Sequence, residues 1–278
     1  MHTATLDRLR CPTCHTPLRL SAAVEWLGLE RVRRGAARCA CTEYTIADGI
    51  LDLRPSLRDI TPAQASNHVP PTAWGYEDTW RKRALSLLSS EPFPIEREWR
   101  VVRDMLQPGD GLYVDLACST ALQARGLARF WRDTGGVADD TRIVAIDFSA
   151  PMLREAARRI RHEGGDRIDL VRARAERLPF ADGVVAGLVC GGSLNEFAAP
   201  WPVLVEARRV IQPGGSAVFM SLLTTATQRG ARVQRFLNSA SGLKFWTPEA
   251  TAALFADAGW QVVAQRVWGG VAFTHVRA

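Results

Sequence analysis

The chain has 278 residues, 47% of them hydrophobic and 23% charged, with a formal net charge of +6. That length allows one large domain with an appendage, or two domains, and the composition excludes a disordered or fibrous chain. No apolar run reaches the roughly 20 residues of a membrane span, and the N-terminus lacks the apolar core of an export signal, so the expected compartment is the cytoplasm. The basic excess is almost all arginine, with Lys82 and Lys244 the only lysines, and it is scattered along the chain rather than gathered into a phosphate-tracking stripe.

Residues 1–53 read as one unit. Cys11-Pro-Thr-Cys14 and Cys39-Ala-Cys41 place two thiol pairs about 24 residues apart, the layout of a zinc ribbon. In a chain without an export signal, such clustering points to a structural metal rather than to disulfides. The second pair has one spacer residue instead of two. The alternative to a zinc site is therefore a ribbon that has lost its metal and survives on its small apolar core. Residues 54–73 hold four prolines and little periodicity and read as a linker. Apolar spacing predicts helices over 76–90 and 93–107, a helical cap on a domain running from 74 to 278.

From residue 112 strands and helices alternate. Strands are expected at 112–117, 142–147, 168–172, 184–190, 215–221, 260–267 and 270–277, and helices at 120–132, 150–162, 201–210 and 247–258. This pattern predicts an α/β fold, a doubly wound and mostly parallel seven-stranded sheet closed by an antiparallel hairpin, with the zinc-ribbon-like domain ahead of it. Such a sheet binds ligands beyond the carboxyl ends of its strands. Asp115 ends the first strand, and the small residues of 117–121 would let the backbone approach a ligand closely. Asp147 ends the second strand, where a carboxylate can accept both hydroxyls of a ribose. A nucleoside ligand suits the spacing, and the missing G-x-G-x-x-G argues against NAD.

Four motifs stand in order: Asp115 with its loop, Asp147-x-Ser149-x-x-Met152, Leu178-Pro179-Phe180, and Arg209-Val-x-x-Pro213-Gly214-Gly215. Together they resemble the class I S-adenosylmethionine (SAM) methyltransferases over roughly residues 95–277. The chain is most similar to uncharacterised plant-chloroplast and bacterial members with a zinc-ribbon-like head, which share Tyr76–Arg81 ("YEDTWR"). It is more distantly similar to 23S rRNA guanine-N1 methyltransferases. The resemblance implies that Asp115 and the backbone of Ala117, Cys118 and Ser119 hold the methionine end of SAM. By the same resemblance Asp147 takes the ribose and Phe148 the adenine, Met152 joins them among the cofactor-binding residues, Arg174 and Ala175 line the adenine edge, and Cys190 and Gly191 lie beneath the sulfonium.

Departures from that family stand out at four positions. Ala117, Ser119 and Ala121 occupy positions where glycines are usual, and Arg174 occupies one where an acid commonly accepts the adenine amino group. Glu196, after the fourth strand, is the candidate general base, with a helix cap or solvated carboxylate as its alternative. Tyr76, Trp80, Trp99, Trp246 and Trp268 would either form a lid over an aromatic substrate or pack on the sheet. Arg229, Arg232 and Arg235 would meet an anionic substrate or face solvent. Three functions are open at this point. They are methylation of a small acceptor such as a lipophilic or aromatic molecule, methylation of rRNA or tRNA with the zinc head on RNA, and a non-catalytic methyltransferase fold serving as a partner module.

Overall fold

The computed structural model describes residues 1–278. Its strands are β1 (Arg19–Leu20), β2 (Glu25–Leu27), β3 (Arg31–Arg38), β4 (Glu43–Ala47), β5 (Ile50–Asp52), β6 (Leu112–Leu116), β7 (Arg142–Asp147), β8 (Ile168–Arg172), β9 (Val185–Gly191), β10 (Ile211–Leu222), β11 (Gln261–Trp268) and β12 (Val271–Arg277). The α-helices are α1 (Thr3–Arg8), α2 (Pro62–Ser66), α3 (Pro70–Gly75), α4 (Lys82–Ser89), α5 (Ile95–Leu106), α6 (Leu122–Thr134), α7 (Ala150–Glu163), α8 (Pro200–Val210), α9 (Gln228–Ser241) and α10 (Pro248–Asp257).

The expected seven strands are present in the order β8-β7-β6-β9-β10-β12-β11. Every residue of β6 is buried, as a parallel strand covered on both faces requires. Strands β8 to β10 run parallel, and β12 enters antiparallel between β10 and β11. Chain order reverses between β6 and its neighbours β7 and β9, so the switch point lies at the carboxyl end of β6.

The sheet does not stop at β8. β5 pairs in parallel with β8 from Ile50↔Leu170 to Asp52↔Arg172, and β4, β3 and β1 follow it outward, so the sheet has twelve strands once β2, on β3, is included. A two-residue turn at Asp48-Gly49, both with positive φ, makes the β4–β5 hairpin. Cys11, Leu18, Tyr44 and Leu51 share one apolar core with α8, α10 and that face of the sheet; α5, α6 and α7 cover the other face.

Two expectations need correction. Residues 54–73 contain α2 and α3 rather than a bare linker. Pro62 and the Pro70-Pro71 pair stand at helix starts, where a missing N–H costs nothing, and Thr61 and Gln64 form a capping box. Helix 76–90 is a π-helical turn at Tyr76–Arg81 followed by α4. The wide turn buries both Glu77 and Arg81. Among the aromatics, Trp99 and Trp268 pack inward. Trp99 donates to the Leu122 carbonyl at 3.0 Å and lies so close to α6 that any side chain at Gly126 would collide with it. Trp268 meets Phe93 and Phe273 edge-on.

Glu77 fastens the cap to the core. Its carboxylate accepts from Arg125 Nη2 at 2.5 Å, Arg159 Nη1 at 3.1 Å and Thr120 Oγ1 at 2.7 Å, all in the interior. Removing it would take away the one buried carboxylate that Arg125 and Arg159 share, leaving Arg125 with Glu163 and Arg159 with Glu155 and Asp78. Glu77→Ala is expected to lower unfolding free energy by about 3–5 kcal/mol in denaturant titrations; a loss below about 1 kcal/mol would show that the arginines find other partners.

Candidate active site

A cleft opens at the switch point. Its floor is the end of β6 and its loop (Leu116, Ala117, Ser119), the end of β7 (Ile146, Asp147, Phe148) and residues 173–176 after β8. Ser193, Glu196 and Phe197 from the turn after β9 form one wall, and Ile60, Gln64, Asn67 and Tyr76 form the roof.

The loop after β6 is built as a glycine loop without glycines. Ala117, Ser119 and Ala121 have φ of 51°, 51° and 59°, all left-handed. The three positions that lack the usual glycine are therefore the three whose backbone asks for one. Each carries a cost of roughly 1 kcal/mol for its Cβ. In return the loop turns tightly enough for Ser119 N to donate to Asp147 Oδ2 at 2.8 Å.

Asp147 also accepts from Ser149 N at 2.8 Å, and burial raises its pKa to about 6. It lines the cleft, at the strand-end position where a carboxylate can accept paired ribose hydroxyls. Phe148, half-buried, presents its ring beside it, with His68 of the roof edge-on at 4.7 Å. Ser149 caps α7.

Several expected contacts take a different form. Asp115 is fully buried and accepts from Ala124 N at 2.8 Å; burial pushes its pKa to about 8. It anchors the loop to α6 and does not reach the cleft. Cys190, on β9, packs into the apolar core on one face of the sheet, and Cys118, in the loop after β6, into the core on the other. Met152 is buried beneath the loop, where its sulfur accepts from Ser119 Oγ at 3.3 Å. Gly191 contributes its carbonyl to Arg81 at 3.0 Å. Ala117, Ser119, Asp147, Phe148, Arg174 and Ala175 do line the cleft.

Arg174 is spoken for. It makes a forked pair with Glu176 (3.0 and 2.8 Å) and donates to the carbonyls of Ser56 and Arg58. The guanidinium thus ties down the start of the roof, while Glu176 brings a carboxylate to the cleft wall two residues further on.

Glu196 lies in the same cleft. Asn67 Nδ2 donates to it at 3.3 Å, and Thr61 Oγ1 donates to its backbone carbonyl at 3.0 Å. Burial, then the charge of Asp147, raises its pKa to about 7. Burial holds Tyr76 protonated, up to about 12. The cleft therefore offers one group able to take a proton near neutrality and one fixed hydroxyl donor. Asn67, Gln64 and Ile60 belong to no chemical motif in the sequence and are site residues that only the fold reveals. The one signal ahead of them is Thr61-Pro62-x-Gln64, the signature of a capped helix where a linker was expected.

At the far edge of the sheet, Cys11, Cys14, Cys39 and Cys41 bring their sulfurs within 4.8 Å of one another. The 3.7 Å Cys11–Cys41 and 3.5 Å Cys39–Cys41 separations match the roughly 3.8 Å edge of a tetrahedron with 2.3 Å zinc–sulfur bonds. The single spacer residue does not spoil the geometry. Thr16 draws the Cys14 thiol down to about 5, while the neighbouring sulfurs push Cys41 up to about 12. Four thiolates could coexist here only around a cation. Arg229, Arg232 and Arg235, by contrast, are all exposed on α9, away from the cleft wall.

Comparison with known proteins gives these features a context. The model of the ubiE/COQ5 methyltransferase family matches residues 87–236, more than half of the chain. An uncharacterised chloroplastic methyltransferase of Arabidopsis thaliana is 27% identical over 226 residues, 77% of this chain, which spans only 61% of that relative's length. The demethylmenaquinone methyltransferase of Bacillus subtilis is 27% identical over 66% of this chain and 87% of its own. A SAM-dependent methyltransferase from Aquifex aeolicus superposes with a TM-score of 0.57 at 15% identity, over 75% of this chain and 98% of its own, a likeness of fold.

The left-handed loop makes a direct prediction. Ala117→Gly and Ser119→Gly should each raise the unfolding free energy by about 0.5–1 kcal/mol, read as a higher denaturation midpoint. Unchanged or lower midpoints would show that the loop stores no such strain.

Proposed function

Because the chain belongs to the ubiE/COQ5 methyltransferase family, and so is an enzyme that methylates with S-adenosylmethionine, we propose that it transfers the methyl group to a small, lipophilic aromatic acceptor of the quinol kind. The observation that carries this reading is the meeting of Asp147, Phe148 and Glu196 in one cleft beneath a roof that includes Ile60 and Tyr76. The Bacillus subtilis relative, by its name, methylates a demethylmenaquinone, which favours a small acceptor over RNA.

S-adenosylmethionine supplies the electrophilic methyl group. Asp147 would hold the ribose hydroxyls, Phe148 would cover the adenine, and the loop at 117–119 would cradle the amino-acid end. The sharp turn and small side chains leave room there. Glu196 takes a proton from the acceptor, either from a ring hydroxyl or from the carbon that has gained the methyl, and Tyr76 donates a hydrogen bond to the ring oxygen. The roof excludes water from that transfer. Alignment of acceptor and methyl does most of the remaining work.

Calorimetric titration with SAM tests the cofactor half. Asp147→Ala should weaken binding about 100-fold, two charge-assisted hydrogen bonds being lost. Methyl transfer to a demethylated quinol tests the other half. Glu196 acts in its ionised form, so activity should fall as pH drops through about 7. Glu196→Gln should lose about 100-fold or more in kcat with little change in SAM affinity. A pH profile flat from 6 to 8, the window bracketing that group, would remove Glu196 from the role.

We further propose that the four thiols hold a structural Zn²⁺. Metal analysis should find one zinc for each four-thiol cluster. Stripping it with a chelator should lower the thermal midpoint, because the site's binding energy is folding energy. Metal-free protein with an unaltered midpoint would refute the site.

A further inference from the structure

Helix α9 is unusual in this molecule because none of its residues is buried. Its inner face is held by Gln234, whose side chain accepts from Thr225 N at 3.0 Å and donates to the Leu223 carbonyl at 2.8 Å. Helical spacing puts Val233, Phe236 and Ala240 in one outward stripe, with Arg229 in line and Arg232 and Arg235 along one side. Phe236 is 70% exposed and Val233 57%. None of the three arginines is paired with a carboxylate, and residues 224–246 contain no acidic residue at all.

A second apolar patch lies on the helical cap. Trp80 (57% exposed) and Leu87 (75%) lie seven residues apart, on one side of the π-helical turn and α4. A short chain of hydrogen bonds links the two helices: Leu88 O accepts from Gly270 N, Gly270 O accepts from Leu223 N, and Leu223 O accepts from Gln234. The C-terminal cap of α9, Gly242, abuts Thr61 of the roof, whose hydroxyl donates to the Glu196 carbonyl. The surface is thus next to the mouth of the cleft.

We infer that this face, Val233 and Phe236 with Arg229, Arg232 and Arg235 and the neighbouring Trp80 and Leu87, docks on the surface of a lipid bilayer containing anionic headgroups. An uncovered apolar stripe edged by unpaired arginines has the amphipathic make-up of a helix that lies in the membrane interface. The charge decides the occupant. A neutral apolar partner would leave three guanidinium groups facing nothing, whereas an anionic leaflet gains roughly fivefold in affinity per basic residue at its surface. The face's use, though not its chemistry, rests on the lipophilic acceptor proposed above: such a molecule resides in a bilayer, and the docked enzyme would receive it at the cleft mouth without crossing water.

Co-sedimentation of the full chain with vesicles of phosphatidylcholine, with and without phosphatidylglycerol, tests this. Binding should require the anionic lipid and weaken with salt. The triple variant Arg229→Glu, Arg232→Glu, Arg235→Glu should lose it by about 100-fold, and Val233→Ser with Phe236→Ser by at least about tenfold. Circular dichroism and SAM affinity should stay as in the parent, since α9 has no buried residue and does not line the cleft. Equal binding to neutral vesicles, unimpaired binding by the triple variant, or loss of a dimer instead of vesicle binding in the variants would overturn the proposal. A chain that binds anionic vesicles through α9 yet fails to methylate any quinol would sink the acceptor reading and leave the docking face standing.

Discussion

One buried carboxylate organises the catalytic half of the molecule. Glu77 sits where the helical cap, α6, α7 and the loop after β6 converge, and it gathers Arg125, Arg159 and Thr120 around a single negative charge. Around it Arg81 pairs with Glu98, which also accepts from Gln123, and Arg159 reaches on to Glu155 and Asp78. A network of this kind is a weak source of net stability compared with apolar packing of the same volume. Its contribution is geometric. Thr120 stands between two residues in strained left-handed conformations, and its hydroxyl is held from outside the loop. The loop can keep that shape because Glu77 opposes its relaxation.

The N-terminal third works on the opposite flank. β5 adds to β8 in parallel, so the ribbon prolongs the sheet whose carboxyl edge forms the site. Arg172 bonds to Asp52 and to the Phe148 carbonyl, connecting the ribbon directly to the residue that would cover the adenine. From there the chain passes over the cleft, tied down by Arg174 at Ser56 and Arg58, by Asn67 at Glu196 and at Ser149. Four thiols at one end and a buried glutamate at the other hold this roof in place.

Much of this architecture is legible in the amino-acid sequence. The strands and helices expected from 112 onward lie within a residue or two of their limits, except that β10 begins earlier, at Ile211, across the Pro-Gly-Gly bulge, and α9 is not among the expected helices. Alternating apolar runs and glycine punctuation are local signals, and a parallel sheet follows from them. Local pattern does not report side-chain direction, and the expected site differs from the folded one for that reason. Asp115 and Cys190 lie at strand ends beside the cleft, but a strand's alternation turns them into the interior. Glu77 and Asn67 are silent in the sequence for a different reason. Their partners stand about 50 to 130 residues away along the chain, and only closure of the sheet brings them together. The left-handed loop is half legible: the missing glycines are visible, but not that the backbone keeps the glycine shape regardless.

The roof has a consequence for what counts as the minimal enzyme. The stretch that matches the family, residues 87–236, contains the sheet's switch point but none of Ile60, Gln64, Asn67, Tyr76 or Glu77. Cut to that length, the chain would keep the floor of the cleft and lose its ceiling, together with the carboxylate that steadies the loop. The stretch that the family model matches is therefore smaller than the unit that folds into a closed site, whereas the Arabidopsis relative matches over 77% of the chain. Transplanting this methyltransferase onto another scaffold would mean carrying its first 86 residues along with it.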